Sequence, residues 1–218
     1  MFDYSFVDLD DTLYDTRQLK EDIYAVFKPL GIGHEDFIRA YRRAAELPQF
    51  GYFHYTFEKQ IEAVRGVGVE VPDDTLEKLN KLLGHNYVVP GAVQFLTYLK
   101  TICAEVILLT AGTYDFQAKK IEAIQLAPMF DGIKQIEGGK DLVLAPLVSA
   151  GKSILFINDN LDENLLIKNK FPDVAVLTLF NPSYWKENDC ADSGMPWFRN
   201  LGEMQKYLEE KFTLLNNQ

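Results

Sequence analysis

The chain begins with an apolar run that leads directly into a cluster of acidic residues. Residues 4–7 read Tyr-Ser-Phe-Val, and Asp8, Asp10, Asp11 and Thr12 follow within five positions. Short apolar runs of this kind are typical of buried strands in parallel sheets. Ligands of open α/β sheets bind beyond the carboxyl ends of such strands, where these acids would lie. Neighbouring carboxylates repel one another, so the cluster indicates a bound cation or a reaction that uses the acids.

A purely structural interpretation of this cluster is also open. Asp and Thr at the end of a strand often cap a helix or form a turn, because their side chains bond to nearby backbone N–H groups. The functional interpretation therefore requires complementary groups at other strand ends.

Length and composition indicate a globular protein that forms one large domain, or a core with a modest second unit. The chain has 218 residues, of which 47% are hydrophobic and 25% are charged. Its 22 Lys and Arg residues against 32 Asp and Glu residues give a net charge of −10. This balance argues against nucleic acid as a main partner, because phosphate backbones are bound by clustered Lys and Arg.

The cysteines and the N-terminus favour a cytoplasmic protein. Cys103 and Cys190 form neither a disulfide framework nor a metal-binding motif, which suggests a reducing compartment. The N-terminal residues lack the basic and apolar regions of a signal peptide. No apolar run approaches the roughly 20 residues that span a bilayer. We therefore expect no membrane partner, and a monomer or a homodimer.

Four strand-like runs alternate with helical segments along most of the chain. The runs cover residues 4–9, 105–110, 153–158 and 174–180, and residues 91–100 form a helix that packs on the resulting sheet. Strands that alternate with helices indicate a parallel sheet with right-handed crossovers. The predicted fold class is α/β, a Rossmann-like parallel sheet in a three-layer α/β/α core.

A long helical insert separates the first two strands. Between Leu9 and Glu105 lie 95 residues, whereas one crossover needs on the order of a dozen. Apolar residues recur at helical spacing in four segments of this insert. We predict an all-helical cap domain over residues 16–88 and a core domain formed by residues 1–15 and 89–218. Such a cap could close over the site and exclude water. An extra helical bundle with no moving role is the alternative.

Aromatic residues are concentrated in the middle of the insert. We predict that they form its small core, with the lining of a substrate pocket as the alternative. They are Phe50, Tyr52, Phe53, His54 and Tyr55.

Two later strand ends carry groups that complement the first acids. The run at 105–110 ends in Thr110-Ala111-Gly112, in which a hydroxyl and two close backbone N–H groups ahead of a helix suit an anion. The run at 153–158 ends in Asn158, and Asp159 follows. Two further acids there, at positions 162 and 163, are interpreted as ordinary first-turn residues of a helix.

A lysine should offset the charge of these acids. Lys140 follows the glycine pair 138–139 and is the favoured candidate, with Lys134 and Lys152 as competitors. Lys152 directly precedes a strand, so we expect it at the opposite edge of the sheet. Carboxylates and carbonyls suit Mg²⁺, and a phosphoryl group needs a cation, a lysine and hydrogen-bond donors. A carboxylate can also attack phosphorus. The combination points to phosphoryl transfer.

The chain resembles the haloacid dehalogenase superfamily, whose members are mostly Mg²⁺-dependent phosphohydrolases. Residues 8–13 resemble its first motif, Thr110 the second, Lys140 the third, and Asn158-Asp159 the fourth. The segments 89–93 and 129–133 also resemble recurrent segments of the family. The insert resembles the cap that the family places between motifs one and two.

The resemblance implies a role for each acid. Asp8 would be the nucleophile, and Asp10 would protonate the leaving oxygen and later act as base on water, with Thr12 orienting it. Mg²⁺ would be bound by Asp8, the backbone carbonyl of Asp10, and Asp159. Asp11 need have no catalytic part.

The resemblance also implies the groups that hold the phosphate. Thr110 and Lys140 would bind its oxygens. The N–H groups of Ala111 and Gly112, which follow Thr110 at the strand end, are the further phosphate-binding candidates. Asn158 stands where the family commonly has Asp or Gly, and it could orient a metal-bound water without binding the metal itself.

The function predicted in this way is Mg²⁺-dependent hydrolysis of a small phosphorylated metabolite through an aspartyl-phosphate. Dehalogenating members lack the second acid, so Asp10 favours phosphate esters. The alternatives are a phosphomutase acting on a sugar phosphate, and a non-enzymatic phospho-acceptor or binding protein.

Overall fold

A computed structural model describes residues 1–45 and 54–216, with side chains as far as Lys211. Its centre is a six-stranded sheet in which every neighbouring pair is parallel. The strands lie in the order β3-β2-β1-β4-β5-β6. Their bounds are β1 Phe2–Val7, β2 Cys103–Ala111, β3 Gly132–Ile136, β4 Ile154–Asn158, β5 Ala175–Leu179 and β6 Trp197–Phe198.

The helices lie on both sides of this sheet, which confirms the predicted Rossmann-like α/β class. Two separate hydrophobic clusters, one on each face, fill the space between the sheet and the helices. The helices are α1 Thr16–Phe27, α2 His34–Ala45, α3 Phe57–Arg65, α4 Thr75–Leu82, α5 Ala92–Ile102, α6 Tyr114–Ile124, α7 Lys140–Ser149, α8 Leu161–Lys170, α9 Glu187–Asp192 and α10 Leu201–Asn216.

The four predicted strands correspond to β1, β2, β4 and β5, and two further strands complete the sheet. All five residues of β4 are buried, as expected of a strand that is covered on both faces. β3 and β6 were not predicted. β3 is an edge strand that reads Gly-Ile-Lys-Gln-Ile and has no buried residue, so it lacks the apolar signature of the inner strands. β6 has two residues.

The four predicted helical segments of the insert are confirmed as α1 to α4. Their apolar positions are buried as the spacing predicted, for example Leu19, Ile23 and Phe27 on α1. These side chains belong to one hydrophobic cluster with Val7 and Leu13 of the first strand end. The helices of the insert pack mainly on one another and share a hydrophobic cluster with the end of β1. The division of the insert from the core as a separate cap domain stays a prediction.

The two connections of the insert run side by side next to the first acid cluster. Tyr14 bridges to Val88, and backbone hydrogen bonds join Asp15 N–H to Tyr87 O (2.8 Å) and Val89 N–H to Leu13 O (2.9 Å). The base of the insert is therefore fixed at the carboxyl end of β1.

Three smaller predictions can be compared with the structure. The aromatic cluster of the insert is described only for His54 and Tyr55, since residues 46–53 lie outside the described ranges. The helix predicted over residues 91–100 corresponds to α5, on which Phe95, Leu96 and Leu99 are buried whereas Val93 is 48% exposed. Within the described ranges, no helix is long and apolar enough to cross a membrane.

Candidate active site

The predicted site residues gather at the carboxyl edge of the three central strands. Asp8 directly follows β1, Thr110 is the penultimate residue of β2, and Asn158 ends β4. Because β1 lies between β2 and β4, these three positions come together without any special folding of loops. Lys140 is the first residue of α7, which starts at the same edge.

Asp8 and Lys140 form a buried ion pair at the centre of this edge. Lys140 Nζ lies 2.7 Å from Asp8 Oδ1, and both side chains are less than a tenth exposed. Burial raises the pKa of Asp8 to about 6, although the charge of Lys140 opposes the shift. Burial alone would lower the pKa of Lys140, but the nearby carboxylates of Asp8 and Glu163 outweigh it and raise that pKa. The lysine therefore stays positively charged beside Asp8.

The structure decides between the three candidate lysines. Lys134 is exposed in the middle of the edge strand β3, away from the strand ends. Lys152 contacts Asp3 at the opposite edge of the sheet, with 3.1 Å between Nζ and Oδ1, as its place before a strand predicted. Only Lys140 among the three reaches Asp8.

Asp10 is held by three donors from two helices. Lys120 and the Thr16 hydroxyl both contact Asp10 Oδ1, and Gln117 Nε2 donates to Asp10 Oδ2 over 2.7 Å. Burial alone would raise the pKa of Asp10, but the charge of Lys120 and these hydrogen bonds lower it overall. Lys120 is itself buried, with Nζ 4.6 Å above the ring of Tyr14.

These three donors were not predicted, and they replace the contact expected of Thr12. Thr12 is fully buried, and its hydroxyl has no hydrogen-bond partner within the described part of the chain. Gln117 and Lys120 are three residues apart on α6, so they share one face of that helix. That spacing was visible in the sequence, but nothing local indicated that the face points at Asp10.

Thr110 and its neighbours are arranged only partly as predicted. Thr110 is buried, and its hydroxyl oxygen accepts a hydrogen bond from Gln117 Nε2 over 3.0 Å, which leaves the hydroxyl hydrogen available to an anion. The N–H of Gly112 donates to Ile136 O over 3.1 Å. The expected phosphate contact from Gly112 is therefore not supported, because its donor already completes the β2–β3 pairing. Ala111, in β2, lies beside it at the same strand end.

Asn158 connects the ion pair to an acid that the sequence did not single out. Asn158 Oδ1 accepts from Lys140 Nζ over 3.2 Å, and its amide donates to Glu163 Oε2 over 2.9 Å. Glu163 Oε2 also lies 3.0 Å from Lys140 Nζ. Glu163 was interpreted as an ordinary first-turn acid, but its carboxylate balances the buried lysine. Asn158 in turn fixes Lys140 and Glu163 relative to one another.

Asp159 and Asp11 are joined through the side chain of Asn181. Burial, followed by the charge of Asp8, raises the pKa of Asp159 well above its usual range. Asn181 Nδ2 donates to Asp159 Oδ2 over 2.7 Å and to Asp11 Oδ2 over 3.0 Å. Asp11 takes a left-handed backbone conformation with a φ of 51°. Burial and the charge of Asp10 raise the pKa of Asp11.

The donor set at this edge suits a hard cation. Among the described residues, no group of three or more His, Cys, Asp or Glu side chains is placed to hold a metal. The expected Mg²⁺ site uses two carboxylates and one backbone carbonyl, with waters completing the shell. The repulsion between Asp8 and Asp159 is consistent with such a site, because the charge of Asp8 raises the pKa of Asp159. A divalent cation bound by both would remove that repulsion.

The insert contributes a lysine at the margin of the site. Lys20 Nζ of α1 lies 4.8 Å from the ring centre of Tyr41 and 5.3 Å from that of Tyr184. It donates to the Tyr184 hydroxyl over 3.3 Å, and within the described ranges it forms no salt bridge. The charge of Lys20 partly opposes the rise in the pKa of Asp11, so it acts on the acid cluster from a distance.

A family profile and several solved structures match the chain. The profile of the haloacid dehalogenase-like hydrolase family matches residues 4–146. No match was found among curated proteins. The solved structures that resemble the chain include an L-2-haloacid dehalogenase from Xanthobacter autotrophicus, with 15% sequence identity and a TM-score of 0.61 over 96% of this chain and 99% of that one.

Two further similar structures carry other descriptions. One is described as a HAD hydrolase from Bacillus subtilis bound to magnesium, with 17% identity and a TM-score of 0.66 over 95% of this chain and 99% of that one. The other is assigned as a β-phosphoglucomutase from Thermotoga maritima, with 15% identity and a TM-score of 0.67 over the same shares. Identities this low establish the common fold alone. The match of the family profile covers about two thirds of the sequence, and with it the chain belongs to the haloacid dehalogenase-like hydrolases.

Proposed function

We propose that this hydrolase is a Mg²⁺-dependent phosphatase that acts on a small phosphorylated metabolite through an aspartyl-phosphate on Asp8. The observation that carries the proposal is the second carboxylate, Asp10, which Lys120, Thr16 and Gln117 hold in place. A halide leaves without a proton, so dehalogenation needs no such group. An alkoxide leaving group does need one, which favours phosphate esters.

Asp8 supplies the nucleophile in the first half of the reaction. Its Oδ atom attacks phosphorus, the bond between phosphorus and the ester oxygen breaks, and the leaving oxygen takes a proton from Asp10. Lys140 and the Thr110 hydroxyl bind the non-bridging oxygens and stabilise the charge on them. Asp8, Asp159 and the Asp10 carbonyl would hold Mg²⁺, which supplies further neutralisation of the phosphoryl oxygens when it is bound.

Asp10 changes its role in the second half. Water attacks phosphorus and Asp10 accepts the proton that the water loses. The bond between phosphorus and the Asp8 oxygen breaks, which releases inorganic phosphate and regenerates the Asp8 carboxylate. Asp10 is available as the base because its lowered pKa makes it a carboxylate at neutral pH. To act as the acid, Asp10 must be protonated when the substrate is bound. The negative charge of the substrate favours this, because it raises the pKa of a nearby carboxyl group.

A release assay tests the proposal against the other chemistries of related proteins. Purified protein with Mg²⁺ is given a panel of sugar phosphates, nucleoside monophosphates and other monoesters, and phosphate release is measured. A parallel panel of 2-haloalkanoates is assayed for halide. Phosphate release that EDTA abolishes and Asp8→Asn removes is the expected result. Halide release without phosphate release would refute it.

A phosphomutase is the competing function, since the Thermotoga maritima structure of this fold carries that assignment. The two functions differ in the group that accepts the phosphoryl moiety from Asp8. A mutase transfers it to a second sugar hydroxyl and releases little phosphate unless a bisphosphate is added. Steady phosphate release into water without a bisphosphate distinguishes the phosphatase.

A further inference from the structure

A buried amide joins two of the acids at the candidate site. Asn181 lies two residues after the end of β5, and its side chain is 2% exposed. Its Nδ2 lies 2.7 Å from Asp159 Oδ2 and 3.0 Å from Asp11 Oδ2. Asn181 did not emerge from the sequence, because the turn that follows β5 reads Asn-Pro-Ser-Tyr and has no motif of its own.

The orientation of this amide is fixed by its own turn. Asn181 Oδ1 accepts a hydrogen bond from the backbone N–H of Ser183 over 3.1 Å. A backbone N–H requires an acceptor, so the oxygen faces Ser183 and the nitrogen faces the two carboxylates. An amide nitrogen carries two hydrogens, and each can serve one of the carboxylates.

Asp11 is the fixed end of the arrangement. Its second oxygen, Oδ1, accepts from the backbone N–H of Arg17 over 3.1 Å, and its own N–H donates to Tyr14 O over 2.7 Å. Asp11 is held by α1, and Asn181 is held by its turn. These two residues therefore determine the position of the Asp159 carboxylate. The Asp159 carboxylate is thus bound on Oδ2, and among the described residues no hydrogen bond occupies Oδ1.

We propose that Asn181 is a positioning residue of the metal site, which it serves by fixing the Asp159 carboxylate against Asp11. This inference rests on the proposed function, because it takes Asp159 as a ligand of Mg²⁺. Without the amide, Asp159 would be free to rotate, and the carboxylates of Asp11 and Asp159 would repel one another across the vacated space. Hydrogen-bond partners of metal ligands typically change metal affinity 10–100-fold when they are removed.

Titration of the full chain with Mg²⁺ by calorimetry tests this without any measurement of turnover. The wild type, Asn181→Ala and Asn181→Ser are compared, with Asn80→Ala as the control. Asn80 is exposed on α4 and its amide bonds only to Leu76 O of its own helix. We expect a Kd for Mg²⁺ that rises about 10–100-fold in both Asn181 variants and is unchanged in Asn80→Ala. Thermal unfolding of each metal-free variant shows whether the fold is retained.

The outcomes separate this inference from the function on which it rests. If the wild type binds Mg²⁺ and a folded Asn181 variant binds it equally well, the positioning role is refuted while the proposed function stands. A lower melting temperature with unchanged Mg²⁺ affinity would show that Asn181 only ties the turn to the sheet. If Asn181→Ala does not fold, the milder Asn181→Ser variant decides. If the wild type binds no Mg²⁺, the metal role of the proposed function and this inference both fail.

Discussion

Removing the charge of Lys120 should destabilise the protein by an amount that its burial predicts. The side chain of Lys120 is 3% exposed, whereas that of its partner Asp10 is 32% exposed. A fully buried ion pair that loses one partner typically costs roughly 3–5 kcal/mol. Asp10 keeps its bonds to Thr16 and Gln117 and remains partly open to water. For Lys120→Met, which keeps the apolar stem against the ring of Tyr14, we therefore expect a loss of about 2 kcal/mol.

Chemical denaturation with a double-mutant cycle measures this contribution. The variants are Lys120→Met, Asp10→Asn and their combination, all metal-free, and Lys119→Met is the matched control because the neighbouring lysine is exposed on the same helix. A loss of about 2 kcal/mol lowers the melting temperature by about 4–8 °C in a chain of this size. We expect a coupling energy of roughly 1–3 kcal/mol between the two positions. The Lys119 variant should stay within about 0.5 kcal/mol of the wild type.

One result would refute this reasoning. A coupling energy below about 0.5 kcal/mol, with Lys120→Met as costly as expected, would mean that the lysine stabilises the protein by packing alone. Lys120 would then have no part in holding Asp10, and the second carboxylate would depend on Thr16 and Gln117.

Three further results are expected. In the metal-free protein, the pKa of Asp8 is about 6 against the usual 3.8, so the folded state binds this proton more tightly than the unfolded state. The contribution of Asp8 to the free energy of unfolding therefore falls as pH rises from 3.8 to 6. Denaturation at several pH values should show a smaller slope for Asp8→Asn than for the wild type. Gly112→Ala should destabilise by about 1–3 kcal/mol, because φ is +140° and the added Cβ would lie 3.2 Å from Gln117 Nε2; Gly31→Ala, with positive φ but open space, should cost less. Lys20→Met should raise KM and leave kcat nearly unchanged for monoesters that carry a second negative charge, because it removes a positive charge at the margin of the site. Equal changes for all monoesters would contradict this.

The sequence predicted the inner strands and the helices of the insert because their apolar spacing is strong. β1, β2, β4 and β5 each pair with a strand on both sides, and each contains consecutive buried residues that are mostly apolar. β3 pairs on one side only, so no such run was needed there. The site followed from the same patterns, because each strand end that carries a functional residue belongs to a predicted strand.

The contacts of the site residues could not be predicted in the same way. Asp10 is bound by Gln117 and Lys120, which lie more than a hundred positions along the chain and on a helix whose direction depends on the whole sheet. Glu163 already had a sufficient local explanation as a first-turn acid, and only its distance to Lys140 reveals a second role. Pairings between distant elements leave no periodic trace in the sequence.

The environments of Asp8 and Asp10 differ in the opposite sense from the one that phosphoryl transfer requires. A nucleophile should be ionised and a general acid protonated, yet burial raises the pKa of Asp8 and Lys120 helps to lower that of Asp10. Asp8 lies among other carboxylates with Lys140 as its paired cation, and a divalent cation beside it would lower its pKa. The negative charge of the substrate would instead raise the pKa of Asp10. With a pKa of about 6, Asp8 is already mostly ionised at neutral pH, so under the proposed function the cation would complete its ionisation, whereas Asp10 would depend on the bound substrate for its proton.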